Sequence, residues 1–319
     1  MASKRIKVLG ERSAVYHCMS RIVGKQHLLD GLDQEVFRKM MWKQADFCGV
    51  RVLTYAVMTN HFHILVRVPG KVEIDDAELV RRVAVLYGRE RAEAVEASLE
   101  LPRAEAVREE YVRRMGEVSQ FMKELKQRFS IWFNRRRERV GTLWSERFKS
   151  VLVEDGGKAL RTVAAYIDLN AVRAGYCRDP KDYRYCGYGE AVAGSVEARE
   201  GLSQVMERGN WRSASWEYRM ILFGKGYYTE ADKEGAIGWE QWKAVQTKRG
   251  RLSLADALRC RVRDFNEGTI LGSREYVEKV YQEQREAFGP RRRSGARPMR
   301  GADWEGLCTV RDLRKEVFG

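Results

Sequence analysis

Between Val50 and Pro69 the chain reads VRVLTYAVMTNHFHILVRVP, a run rich in Val, Leu, Ile, Tyr and Thr. It predicts two strands, Val50 to Met58 and Phe62 to Val68, joined by a tight turn at Thr59 and Asn60. Upstream, Ala14 to Val23 (AVYHCMSRIV) predicts a first strand and Asp33 to Phe47 an amphipathic helix. Downstream, Val118 to Arg139 repeats apolar residues at Phe121, Met122, Leu125, Phe129 and Phe133, a helical spacing of three to four. Phe148 to Glu154 (FKSVLVE) predicts a fourth strand. After the Gly156-Gly157 break, Lys158 to about Arg173 predicts a helix with an apolar stripe at Leu160, Val163, Ala164, Ile167 and Ala171. The fold class expected is α+β: a four-stranded antiparallel sheet of the ferredoxin-like kind with flanking helices.

Two stretches break this pattern. Residues 71 to about 116 are highly charged, helical in period and without strand signals, and so are read as an insertion into a domain of residues 1–194. From about residue 195 the strand alternation disappears. Ser253 to Phe265 and Ser273 to Phe288 predict two helices with serine N-caps around an Asn266-Glu267-Gly268 turn, either a helix-turn-helix or a plain helical hairpin. Residues 289–300 (GPRRRSGARPMR) hold five arginines and no acid, and predict a mobile basic arm. Residues 195–319 are therefore expected to be a mainly helical region that grips DNA or chooses its target.

Charge sharpens the functional class. With 59 Lys and Arg against 45 Asp and Glu in 319 residues, the net charge is +14, which favours a polyanionic partner. Much of it is clustered on the polar side of the Val118 to Arg139 helix and just after it, where Arg128, Arg135, Arg136, Arg137 and Arg147 are candidate phosphate ligands. Trp132, Trp144 and Phe148, set among these arginines, offer faces for unpaired bases or fill the core. Six dispersed cysteines without a Cys-x-x-Cys pair argue for a reducing compartment and against a zinc ribbon. The start lacks a signal-peptide core and no run of 18 apolar residues occurs, so a cytoplasmic protein is expected.

The candidate chemistry begins at His61 and His63, two of only four histidines. Two apart on a strand, they point to one face while Phe62 points to the other. A pair of neutral imidazoles is half of a divalent-metal site, or else two strand histidines bonded to backbone or water. On the helix after Gly157, Tyr166, Asn170 and Arg173 fall within about 60° of arc beside the apolar stripe. The phenol offers an attacking oxygen, the amide a metal ligand and the guanidinium a phosphate clamp. Equally, Tyr166 is a boundary tyrosine with its ring in the core and its hydroxyl wet.

The three blocks MTNHFHILVRVP, WFNRRRERVGTLWSERFKS and YIDLNAVRAGYCRDPKDYRY, in this order over about residues 12–190, resemble the single-tyrosine HUH transposases, specifically the REP-associated tyrosine transposases. The resemblance implies that His61 and His63 bind Mg²⁺ or Mn²⁺, that Asn170 is the third ligand, and that Tyr166 is the nucleophile. It further implies cleavage of single-stranded, hairpin-forming DNA to a 5′-phosphotyrosine and a free 3′-hydroxyl. Relatives with this catalytic domain often work as dimers. Thr59 stands where the family usually has proline before Asn-His, and Ala171 where it has proline after the asparagine of the tyrosine helix. Without that proline the helix is free to run on. A DNA-hairpin-binding protein that does not cut, and a metal-dependent phosphodiester hydrolase using water, are the alternatives to strand transfer.

Overall fold

The structure, a computed structural model, describes residue 6, residues 12–223, residues 253–311 and residue 313. Strand β1 (Ala14–Arg21) leads to helix α1 (Gly31–Cys48), which starts in a reciprocal capping box between Asp30 and Asp33 and stops at Gly49 in the left-handed region (φ 65°). Strands β2 (Arg51–Val57) and β3 (His61–Val68) follow as a hairpin, its turn closed by Met58 N–H donating to His61 O at 2.8 Å. Then come α2 (Asp76–Tyr87), α3 (Arg89–Leu99), α4 (Ala104–Val112), α5 (Val118–Arg136) and β4 (Lys149–Val153). The helices of the second half are α6 (Gly157–Asp168), α7 (Asn170–Arg173), α8 (Gly187–Val192), α9 (Val196–Val205) and α10 (Trp211–Phe223). The chain continues with α11 (Leu254–Arg259), α12 (Arg263–Glu267), β5 (Ile270–Gly272), α13 (Arg274–Glu283), β6 (Arg297–Pro298) and β7 (Cys308–Val310).

The strands form one sheet in the order β2-β3-β1-β4-β5-β7-β6. The four expected strands pair antiparallel, but the sheet does not end there: β5 adds to β4 in parallel, and β7 and β6 extend it antiparallel. The expected four-stranded antiparallel sheet is thus corrected to a mixed seven-stranded one. The added strands of two or three residues are too short to display a period of two. Between Ser253 and Phe288 the expected first helix is broken at Cys260–Val262, and β5 intervenes before the second, so the pair is not a helix-turn-helix. Ser253 and Ser273 do cap as expected, accepting from the N–H groups of Asp256 and Tyr276. The expected mobile arm instead carries β6 and buries Ala296 and Met299.

Alternation along the strands sends side chains into two cores. Tyr16, Cys18, Phe62, Ile64 and Val66 meet α1 and α5 on one face, where the predicted stripe Phe121, Met122, Leu125, Phe129 and Phe133 is fully buried. Trp144 and Phe148 lie in this core too, and Trp132 packs on it. Val15, Met19, Leu65, Val151 and Val153 meet α6 and the later helices on the other face. Helix α9 lies so close to β2 that a Cβ on Gly201 would sit 2.6 Å from the Leu53 carbonyl oxygen, so residues on both sides of position 194 share one core.

Helix α6 is anchored through Asp168, fully buried, whose carboxylate accepts from Thr54 Oγ1 (2.9 Å), Tyr188 N–H (2.9 Å) and Tyr218 Oη (2.5 Å). Burial pushes its pKa up to about 6 against those three donors. A carboxyl raised in the folded state holds its proton there after the unfolded chain has lost it, so its contribution to stability falls as pH rises from about 4 through 6. Wild type should therefore lose up to about 3 kcal/mol relative to Asp168→Asn between pH 4 and pH 7. Urea denaturation of both proteins at the two pH values checks this, and a difference independent of pH contradicts it.

Candidate active site

All four histidines gather at one end of the sheet. His63 Nδ1 lies 2.8 Å from His17 Nε2, and the His61 and His63 rings are 5.2 Å apart between centroids. His17 faces Leu65 in the ladder, two residues beyond His63, which makes the contact a diagonal one on a shared face. His61 Nδ1 is bonded to Asn60 Oδ1 at 2.6 Å, and Asn60 Nδ2 reaches His27 Nε2 at 3.1 Å. Thr59, in the position where proline was expected, uses its hydroxyl to join His27 Nδ1 (2.5 Å) to Tyr176 Oη (2.7 Å).

Burial is the first cause lowering the pKa of each inner imidazole: His17 falls to about 3, His61 to about 4 and His63 well below the ordinary value. Arg21 and Arg173 add to the effect at His61 and His63, and Arg261 at His61. All three rings are therefore neutral at physiological pH, the form that ligates metal. Asn60 Oδ1 only accepts, so His61 carries its proton on Nδ1 and keeps an Nε2 lone pair. Among the described residues no group of three or more His, Cys, Asp or Glu side chains is arranged to hold a metal ion.

Tyr166 projects from α6 toward the histidines, its ring 6.4 Å from that of His63 and nearly perpendicular to it. The residue is 2% exposed. Phe265 packs edge-on at 4.7 Å, the Arg173 guanidinium lies 3.9 Å above the ring centroid, and Asn266 Nδ2 donates to the hydroxyl at 2.6 Å. The helix does run on past the missing proline, with only Leu169 (ψ 1°) interrupting α6 and α7. Asn170 is buried and turns its Nδ2 back to the Ile167 carbonyl at 3.0 Å. Arg173 is half-buried and donates to the carbonyls of Tyr166 and Leu258, both at 2.6 Å, and desolvation of its guanidinium lowers its pKa to about 10. It holds the helix end rather than reaching outward.

The sequence-predicted arginines divide. Helix α5 packs on the sheet face opposite Tyr166, so Arg128 and Arg135 lie across the sheet from the tyrosine. Arg128 stacks on Tyr87 at 4.8 Å, and Arg135 is exposed. Arg136 and Arg137 are tied to Asp30 and buried Asp33 at the start of α1. Arg147 is exposed and follows Ser145, whose N–H donates to the Arg21 carbonyl at 2.9 Å. Arg21 itself, opposite His61 in the ladder, was not singled out from sequence, nor were His17 and Asn266. The available signal was scarcity: His17 occupies an alternating strand position in a chain with four histidines.

Residues 12–96 match the family model of IS200-like transposases. No curated protein matches the chain. Among solved structures, a REP-associated tyrosine transposase bound to a REP hairpin is similar, with 14% identity and a TM-score of 0.40 over 61% of this chain and 87% of that one. Over the segment that carries His17, His61 and His63, the chain resembles the IS200-like transposases, as its histidine block suggested.

Proposed function

We propose that the protein is a transposase-type endonuclease and strand transferase that nicks and rejoins single-stranded, hairpin-forming DNA. The observation that carries the reading is the approach of Tyr166 to His63 on one face of the sheet. In the forward step the Tyr166 Oη–phosphorus bond forms as the phosphorus–O3′ bond breaks; the phenol proton passes to solvent and the 3′-oxygen takes up a proton. The reverse step restores the strand without an energy-supplying cofactor, because the phosphotyrosine ester conserves the bond. Arg173 places positive charge against the phenol ring, and Arg21, Arg147 and Arg261 offer charge for phosphates near the histidine end. His61, His63 and Asn170 would hold Mg²⁺ or Mn²⁺, which as a Lewis acid polarises a non-bridging phosphate oxygen. The test is incubation of the protein with labelled hairpin DNA and Mn²⁺, followed by a denaturing gel. A covalent protein–DNA band is expected. Free product formed over many turnovers would instead indicate hydrolysis by water.

One observation favours a second reading. Tyr166 is so well covered that a phosphodiester reaches it only if part of the cover moves, which suits a protein that holds hairpins without cutting them. Hairpin binding with no adduct under any metal condition would select this alternative.

The charges around the imidazoles carry a further expectation. Arg21 leads the charged groups acting on His61, and Arg173 and Arg21 act on His63 after the neighbouring imidazoles, so a cation is repelled until DNA phosphates neutralise these arginines. Mn²⁺ should bind the Tyr166→Phe protein weakly, and about tenfold or more tightly once hairpin DNA is present; by linkage Mn²⁺ should tighten DNA binding equally. Calorimetric titration of Mn²⁺ with and without DNA measures this, and equal affinities would contradict it.

A further inference from the structure

We infer that Asn266, on α12, donates directly to the attacking oxygen of Tyr166, which makes the C-terminal segment part of the reaction centre. The inference deepens the strand-transfer reading and rests on Tyr166 being its nucleophile. Asn266 Nδ2 lies 2.6 Å from Tyr166 Oη and 2.8 Å from the Val262 carbonyl oxygen. A carbonyl oxygen only accepts, so Val262 determines which end of the amide is nitrogen, and the second N–H is the one aimed at Tyr166. The phenol oxygen is thus the acceptor, and its own proton is free to leave in another direction.

The backbone holds this donor in place. Thr269, two residues past α12, accepts from Leu152 N–H on β4 at 2.9 Å, and β5 continues that pairing. Between them, a Cβ on Gly268 would lie 2.3 Å from the Asp264 carbonyl oxygen, so the close exit from α12 requires glycine. The same segment supplies Phe265 against the Tyr166 ring and the Leu258 carbonyl that holds Arg173. A donor fixed before the reaction stabilises charge at little reorganisation cost. Negative charge on Oη exceeds that of the phenol or the ester while the Oη–phosphorus bond is forming. It does so again when rejoining expels Oη, so the hydrogen bond strengthens in both directions.

Full-length Asn266→Ser and Asn266→Ala test the inference, with Tyr166→Phe alongside. Serine retains a hydroxyl able to bond the carbonyl one turn back but is too short to reach Tyr166. With Mn²⁺ and saturating labelled hairpin DNA, single-turnover adduct formation should slow about 10- to 100-fold in both variants. Hairpin affinity should be unchanged, and rejoining should slow by the same factor, so the equilibrium ratio of cleaved to intact strand stays constant. A wild-type or faster rate in Asn266→Ser overturns the inference, as does a loss confined to DNA affinity or to one direction of reaction. Thermal melts of both variants show whether a slow rate comes from lost fold, and slowing that tracks melting also overturns it. An adduct that persists in Tyr166→Phe would defeat the nucleophile assignment itself. Loss of the adduct there, with Asn266→Ser at wild-type rate, defeats only the role of Asn266.

Discussion

Tyr166→Phe should abolish the covalent protein–DNA adduct, by at least about 10³-fold, while costing no more than about 1 kcal/mol of stability. Among the described residues the hydroxyl has one hydrogen bond, from Asn266 Nδ2, and that nitrogen keeps its bond to Val262 when the hydroxyl is gone. The phenyl ring retains its packing against Phe265, His63 and the Arg173 guanidinium. Hairpin affinity should be unchanged, because no phosphate ligand is removed. Denaturing gels, urea denaturation and a binding titration read the three quantities separately. Adducts that persist and map to Tyr176 or Tyr183 would reassign the nucleophile. Tyr176 is the more exposed of those two, at 42%, and sits on the Thr59 hydroxyl near the histidine end.

His61→Ala and His63→Ala should each reduce cleavage at least about 100-fold, yet differ in what they do to the fold. His63 is buried and bonded to His17, so its removal leaves a cavity and an unpaired imidazole nitrogen in the interior, a cost of about 2–4 kcal/mol. His61 is partly exposed and bonded to neighbouring Asn60, so its loss should cost about 1 kcal/mol or less. His61→Ala is therefore the cleaner test of metal function. Cleavage measured across a Mn²⁺ series, with stability followed by urea denaturation, distinguishes lost chemistry from lost fold. Normal cleavage by the double variant in chelator would remove metal from the site.

The sequence by itself determined the elements whose signal is local. Strand alternation through HFHILVRV put His61 and His63 on one face and Phe62 on the other, and the three-to-four spacing of Phe121 to Phe133 chose the buried side of α5. Both follow from backbone periodicity, which a single segment carries within itself. The basic helix was legible as charge but not as position. Only the packing of α5 on the face away from Tyr166, with Arg136 and Arg137 locked to Asp30 and Asp33, decided that its arginines do not line the tyrosine. Arg173 shows the same limit, since helical arc placed it beside Tyr166 while tertiary burial turned its guanidinium onto two carbonyls. The largest share of what tertiary structure decided lies after residue 250. Strands of two or three residues have no period to read, and they acquire identity only by pairing with β4 and with each other. That pairing carries α12 onto α6 and brings Asn266 to the Tyr166 hydroxyl, a contact made across 100 residues of chain that no local pattern encodes.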